Sequence, residues 1–175
     1  VFTIAVSVSL VPAVAEAMKR KDKTSLESNI VTGVKTLMLI SFPCMVGLLI
    51  MAKPVLNLLY PARPDEVEMA APVLQILAIG MVAFATFRAF SSVLQGAGKQ
   101  GLPVRNLAIG AIAKVVLTYV LVGVPIMNVK GAAVGNIVTY FIAALLNYLS
   151  VRKHIGIKLS ATELWGKPFI LSCIM

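Results

Sequence analysis

The stretch PDEVEMAAPVLQILAIGMVAFATFRAFSSVLQGAG, residues 64–98, decides the fold. Its first turn carries Pro64, Asp65, Glu66 and Glu68. Those residue types suit a helix start, where proline needs no backbone donor and carboxylates meet the positive end of the helix dipole. From Met69 to Gly98 the one charged side chain is Arg88. About 20 apolar residues cross a bilayer core, so the run is long enough to span one. Gly96 and Gly98 supply its C-terminal stop.

Outward from this segment the pattern repeats. Further apolar segments occupy about 2–17, 25–52, 103–125 and 131–151, and a sixth starts near Ser160 and runs to Met175. Over the 175 residues, 59% are hydrophobic and 13% charged, and the mean hydropathy is +0.92. A soluble domain is about 25% charged. The composition therefore excludes a soluble globular domain, a disordered region and a disulfide scaffold. The fold class it implies is an all-α polytopic membrane protein. Val1 lies within one apolar run and Met175 within another, so we expect a piece of a longer protein, cut through a membrane helix at each end. A signal peptide does not fit the start, because the Lys19-Arg20-Lys21 charge follows the apolar run instead of preceding it.

Local chemistry marks the boundaries. Thr24-Ser-Leu-Glu27 reads as a capping box opening segment two, and Ser160-Ala-Thr-Glu163 as one opening segment six. Pro43 and Pro72 lie inside apolar runs and should kink helices or mark first turns. Lys53 to Pro61 reads as the outer end of helix two or a brief interfacial turn. The net charge is +9. Most of the cations stand in short loops, which makes them orientation signals and not a nucleic-acid surface. The loops after segments one, three and five hold Lys19–Lys23, Lys99 with Arg105, and Arg152-Lys153-His154 with Lys158. Of the alternate loops, one mixes Lys53 and Arg63 with Asp65, Glu66 and Glu68, and the other holds Lys130. The basic loops are therefore expected on the cytoplasmic side.

Enzyme chemistry finds no support. Gly98-Lys99 fails as a phosphate loop, since Gln100 stands where Ser or Thr is needed and Val93 where the first Gly belongs. Cys44 and Cys173 lack a CxxC spacing and a His neighbour, so neither a metal nor a disulfide is expected. Ser91 and Ser92 have no nearby base, and the single His154 sits in a basic loop. We expect no catalytic residue and no cofactor. Gly131-Ala-Ala-Val-Gly135 is a small-residue motif that favours close helix packing within the chain.

The informative residues are three cations inside helices: Lys35, Arg88 and Lys114. Intramembrane charge is costly and faces a polar interior or pathway. Counting at ~1.5 Å per residue, Arg88 lies about 10 Å from the cytoplasmic end and Lys114 about 16 Å in. Lys35 stands early in its apolar run. Snorkelling suits Lys35, suits Arg88 less and does not suit Lys114. Pairing with an acid needs a partner on another helix, because segments three to five, from Met69, contain no acid. The remaining reading is a water-filled cavity whose Arg and Lys donors bind a phosphate or diphosphate. Gln75, Asn106, Asn136 and Asn147 could line that cavity or hydrogen-bond between helices. Arg88 shares a helical face with Ser92, and Lys114 shares one with Gly110 and Thr118.

Several ordered motifs resemble one family. Leu10-Val-Pro-Ala-Val-Ala-Glu16-Ala precedes a basic loop. Pro43-Cys-Met-Val-Gly47-Leu leads to Ala52-Lys53-Pro54-Val-Leu-Asn-Leu-Leu-Tyr60. Leu94-Gln-Gly-Ala-Gly98-Lys99 is followed by Pro103, and Val122-Gly-Val-Pro125 by Lys130-Gly131-Ala-Ala-Val-Gly135, with Gly166-Lys167-Pro168 last. The set resembles the multidrug/oligosaccharidyl-lipid/polysaccharide exporter superfamily. It is most like the branch of stage V sporulation protein B and polysaccharide biosynthesis proteins, close to the lipid II flippases. The resemblance implies a fragment of a fourteen-helix, two-lobe transporter, from the end of helix eight to the start of helix thirteen. Residues 1–159 would be C-terminal-lobe helices and 160–175 the start of a following helix. It further implies a bacterial plasma-membrane protein that moves an anionic lipid-linked saccharide by alternating access, with no covalent chemistry. Its partners would be membrane lipids and the remainder of the parent chain, its N-terminal lobe. Lys35, Arg88 and Lys114 are the expected substrate-binding residues. The rival readings are a drug or metabolite antiporter of the same superfamily and a membrane scaffold with no cargo.

Overall fold

Five antiparallel helices follow one another with short connections in a computed structural model, which describes residues 2–122 and 128–156. They are α1 (Phe2–Arg20), α2 (Lys23–Leu59), α3 (Pro64–Gly96), α4 (Gly101–Val122) and α5 (Asn128–Ile155). Four of them hold a stretch long and apolar enough to cross a membrane: Lys23–Leu59, Pro64–Gly96, Gly101–Val120 and Gly131–Ile155. The polytopic helical class follows. Segment six, with its capping box, Lys158, Cys173 and Gly166-Lys167-Pro168, lies outside the described residues, as does most of the Val122–Pro125 motif.

The helices overrun the apolar segments because hydropathy marks the membrane whereas caps mark the helix. At the start of α2 the expected capping box does not form. The N-cap is Asp22, whose carboxylate accepts from the Thr24 and Ser25 amides at 3.0 and 3.1 Å and from the Ser25 hydroxyl at 2.6 Å. A carboxylate two residues earlier satisfies the orphan amides and draws Thr24 into the helix. The Ser25 hydroxyl, first, and the Ser25 amide hold the Asp22 carboxyl below its usual range. At the other end α2 continues as helix through Pro54 to Leu59, so the Lys53–Pro61 stretch is the outer end of this helix. Pro12, Pro43 and Pro72 are also internal. Each removes one backbone donor from its helix.

The turn after α3 agrees with the expected glycine stop. Gly98 has φ +75°, its amide donates to the Gln95 carbonyl at 2.9 Å, and the Lys99 amide donates to Leu94 at 2.9 Å. The same pair of bonds closes α1, where Lys21 adopts φ +55° without being glycine. Both are Schellman closures, in which a left-handed residue returns two amides to orphan carbonyls.

α3 is the spine. Its backbone approaches α1, α2 and α5 extensively and α4 only slightly, while α2 approaches only α1 and α3 among the described residues. Toward its C-terminal end, Ala89 through Leu94 are all buried. The main core joins Leu10 and Val14 of α1, Ile30, Leu37 and Met38 of α2, Phe90 and Leu94 of α3, and Val151 of α5. Close approach needs glycine at the α1–α3 contact, where a Cβ on Gly96 would stand 2.7 Å from the Val11 carbonyl oxygen.

Candidate functional site

Arg88 faces away from α2. The Thr86 hydroxyl lies 3.9 Å from the Met38 sulfur, which fixes the side of α3 that meets α2. At about 100° per residue, Arg88 stands roughly 160° round from that side. Phe84, Met81 and Leu77, at i−4, i−7 and i−11, continue the same stripe outward. The Arg88 guanidinium lies 5.7 Å from the Phe84 ring centroid, a cation–π distance. Its Nε is buried without a hydrogen-bond partner.

Beyond Arg88 the stripe borders a cavity of ≈ 330 Å³ between α3 and α5. Leu77, Gly80, Met81 and Phe84 line one side, and Asn136, Ile137 and Tyr140 the other. Gly80 lets Ile137 approach, since a Cβ there would meet Ile137 Cγ1 at 3.0 Å. Phe84 and Tyr140 close the inner end edge to face, with centroids 5.0 Å apart. The walls are predominantly apolar, and the one amide is that of Asn136.

Lys114 reaches α5 from the opposite flank. The face bearing Gly110, Lys114 and Thr118 packs on α5: a Cβ on Gly135 would stand 2.6 Å from Thr118 Oγ1 and 3.5 Å from Lys114 Cγ. The Lys114 stem thus crosses α5 at Gly135, beside Asn136. Gly135 of the small-residue motif serves packing within the chain, as expected. Thr118 Oγ1 is buried and has no partner.

The structure brings Arg88 and Lys114 to the same helix at different heights. Lys114 crosses at Gly135, Phe84 meets α5 at Tyr140, and Arg88 is one turn further in, so the two cations stand roughly 13 Å apart along the helix axes. Lys35 does not join them. It lies about 60° round α2 from Met38, and α2 approaches neither α4 nor α5 among the described residues. The ion pairs recorded among the described residues, Arg20–Glu16, Lys53–Glu68 and Arg63–Glu66, are exposed and involve none of these three cations.

The polar side chains divide into two groups. Asn106 Nδ2 donates to Asn147 Oδ1 at 2.8 Å and to Ser150 Oγ at 3.1 Å, and Asn147 Nδ2 donates to Ser91 Oγ at 2.8 Å. This buried chain ties α4, α5 and α3 together. Gln75 Nε2 donates to the Leu49 carbonyl at 3.1 Å and ties α3 to α2. Of the four amides only Asn136 faces the cavity. Ser91, not its neighbour Ser92, takes the interhelical bond, and its hydroxyl serves as an acceptor in the core. Sequence reasoning missed Phe84 and Tyr140. The i−4 spacing of Phe84 from Arg88 was the available signal, and nothing local marks Tyr140.

Comparison with known proteins follows the same line. The family model described as lipid II flippase MurJ matches residues 1–170. The chain is 24% identical over 152 residues to the lipid II flippase MurJ of Bacillus subtilis (strain 168), which covers 87% of this chain and 28% of that protein. It is 25% identical over 161 residues to stage V sporulation protein B of the same organism, covering 92% and 30%. It is 27% identical over 145 residues to a probable multidrug resistance protein NorM of Bacillus anthracis, covering 81% and 32%. The chain therefore spans between about a quarter and a third of the length of these curated relatives.

Proposed function

We propose that this chain, which belongs to the lipid II flippase MurJ family, is part of a bacterial plasma-membrane transporter that moves a lipid-linked saccharide precursor, lipid II or a polysaccharide repeat unit, outward. It acts as a transporter and not as an enzyme. The observation that carries the reading is Arg88: a cation within a membrane-length helix, its Nε buried without a hydrogen-bond partner and paired with no carboxylate among the described residues. A charge so placed is held for an anion that arrives. The diphosphate of the carrier lipid supplies that anion, and a guanidinium meets it with paired donors. Lys114 supplies a second positive charge further out and Lys35 one on the far side of α3. Binding in the inward-open state biases the rocking of one lobe against the other.

A second reading comes from the NorM relatives, a drug exporter of the same superfamily. Export of a cationic compound calls for a membrane acid, and the sequence from Met69 through Ile155 contains none.

The test uses the intact parent protein, with lipid II binding and translocation measured for wild type, Arg88→Ala and Lys114→Ala. One charge-assisted hydrogen bond is worth about 1.5–3 kcal/mol, so Arg88→Ala should weaken binding about 10- to 100-fold. Unchanged binding and translocation in both folded variants refutes the assignment.

A further inference from the structure

We propose that residues 55–71, the tip of the α2–α3 hairpin, form a flap that swings as one body on a hinge of two prolines, Pro54 and Pro72, with the Lys53–Glu68 ion pair as its latch. This goes beyond the transport reading and stands without it. The register of the helices sets the hinge. Thr86 stands beside Met38, and Gln75 beside Leu49. In that antiparallel register Pro72 lies opposite Ala52, two residues or about 3 Å from the height of Pro54. Both prolines are internal to their helices. Each removes one backbone bond, Pro54 the one to the Ile50 carbonyl and Pro72 the one to the Glu68 carbonyl. Helices bend at such sites, and one on each arm, at one height, lets both arms bend about the same line.

The rest of the bundle stops at that line. Phe84 beside Tyr140 and Ser91 beside Asn147 put the first residue of α5, Asn128, level with Pro72. The pairing of Asn106 with Asn147 brings the end of α4, Val122, near the level of Gly131. Among the described residues only the two arms of the hairpin run on past this level, and α3 does so from Pro72 to Pro64, about 12 Å. Val67 and Ala71 are buried, and the Arg63 amide donates to the Tyr60 carbonyl at 3.2 Å across the turn, so the tip holds together. Just inside the line, the bond from Gln75 to the Leu49 carbonyl ties the arms on the bundle side. Lys53 precedes Pro54 on that side, whereas Glu68 stands one turn beyond Pro72 on the flap side. Their 3.0 Å contact therefore crosses the hinge. Both side chains are exposed, and an exposed pair biases an equilibrium by about fivefold at most. A latch of that strength favours one state without locking it. A swing moves the exposed Leu58 and Tyr60 relative to the ends of α4 and α5, so this end of the bundle opens and closes with the state of one ion pair.

The experiment measures spin-label distances in the intact parent protein, freed of other cysteines. Asn57→Cys with Ile112→Cys reports the flap against α4. Leu39→Cys with Ile112→Cys is the control on the bundle side of the hinge, and all three positions are exposed. The flap pair should show two distance populations and the control pair one. Lys53→Ala should shift the ratio of the two populations by up to about fivefold toward the released state. Salt at about 1 M, which screens charge beyond ~3 Å, should reproduce that shift, and Lys53→Glu/Glu68→Lys should restore the wild-type ratio. Pro54→Ala/Pro72→Ala returns both backbone bonds and should leave a single population as narrow as the control. Ala70→Cys with Ile112→Cys, on the other arm, should follow Asn57 in every variant; a change seen on α2 alone overturns the flap as one body. A single narrow flap distance in wild type and in Lys53→Ala alike overturns the hinge. Two populations that persist in the double proline variant overturn it as well, since they then arise from fraying at the Tyr60 turn. Populations that respond to the prolines but to neither Lys53→Ala nor salt overturn the latch. None of these outcomes depends on transport, so the transport reading stands or falls separately.

Discussion

Gly135→Ala and Gly110→Ala each add one methyl to the α4–α5 interface, yet trimming the neighbour should repair only the first. A Cβ on Gly135 would stand 2.6 Å from the Thr118 hydroxyl oxygen, a side-chain atom. A Cβ on Gly110 would stand 2.7 Å from the Thr139 carbonyl oxygen, which is backbone, and 3.3 Å from its Cγ2. Both fall roughly 0.8–0.9 Å short of the ~3.5 Å optimum. Overpacking of this kind costs about 1–3 kcal/mol, and the better helix propensity of alanine offsets up to about 1 kcal/mol. Gly135→Ala should therefore lose about 1 kcal/mol. Gly110→Ala should lose about 2 kcal/mol, toward the upper end of that range, because the carbonyl cannot rotate aside. Thr118→Ala deletes a buried hydroxyl that has no partner, so alone it should be neutral or slightly stabilising. The pair Gly135→Ala/Thr118→Ala should return to within about 0.5 kcal/mol of wild type. Gly110→Ala/Thr139→Ala should not recover, since the carbonyl remains and the bond from Thr139 Oγ1 to the Gly135 carbonyl at 2.8 Å is lost as well. Thermal unfolding of the intact parent protein in detergent, run as two double-mutant cycles, reads these values. Gly47→Ala, where nothing lies within 4 Å of the added Cβ, is the control and should be neutral or stabilising. Equal rescue in both cycles, or wild-type stability for Gly110→Ala, would show that α4 and α5 do not approach as described.

Two further outcomes are expected. Asn147→Leu removes the link between Asn106 and Ser91 and should lower stability by about 1–3 kcal/mol; retained stability by the same unfolding assay would mean that the chain of amides does not hold α4 to α3. Asp22 titrates below its ordinary 3.8 because the Ser25 hydroxyl and amide favour the carboxylate. A depressed folded value means that the cap is complete above 3.8 and is lost as pH falls through that lower value. The amide chemical shifts of Thr24 and Ser25 should therefore change only at acid pH, and Asp22→Ala should abolish the change.

The order of the five described helices was legible because apolar length is a one-dimensional signal that needs no partner. Helix ends were less so. Thr24 carries the right chemistry for a cap, but Asp22 carries it two residues earlier and with a charge. The site divided along the same line. Arg88 and Lys114 stood out because charge in an apolar run is visible in the sequence. That Arg88 turns from α2, and so from Lys35, follows from the Thr86–Met38 contact, a relation between helices that no spacing encodes. Asn106, Asn136 and Asn147 look alike in sequence. Their division between interhelical bonds and cavity wall depends on rotation about α4 and α5, set by where Gly110, Gly135 and Gly80 admit their neighbours.

The spine and its slight neighbour also differ in length. The apolar run of α3 from Met69 to Leu94 spans about 39 Å and the whole of α4 about 33 Å, against a hydrocarbon core of ~30 Å. In one bilayer α3 must tilt further than α4 or lift the lipid around it. Because their backbones hardly meet, any change in the angle between them must pass through α5 and load the Asn106–Asn147–Ser91 chain. A bilayer of different thickness therefore puts its strain first on that chain of amides and on the α3–α5 contact, and not on a direct α3–α4 seam.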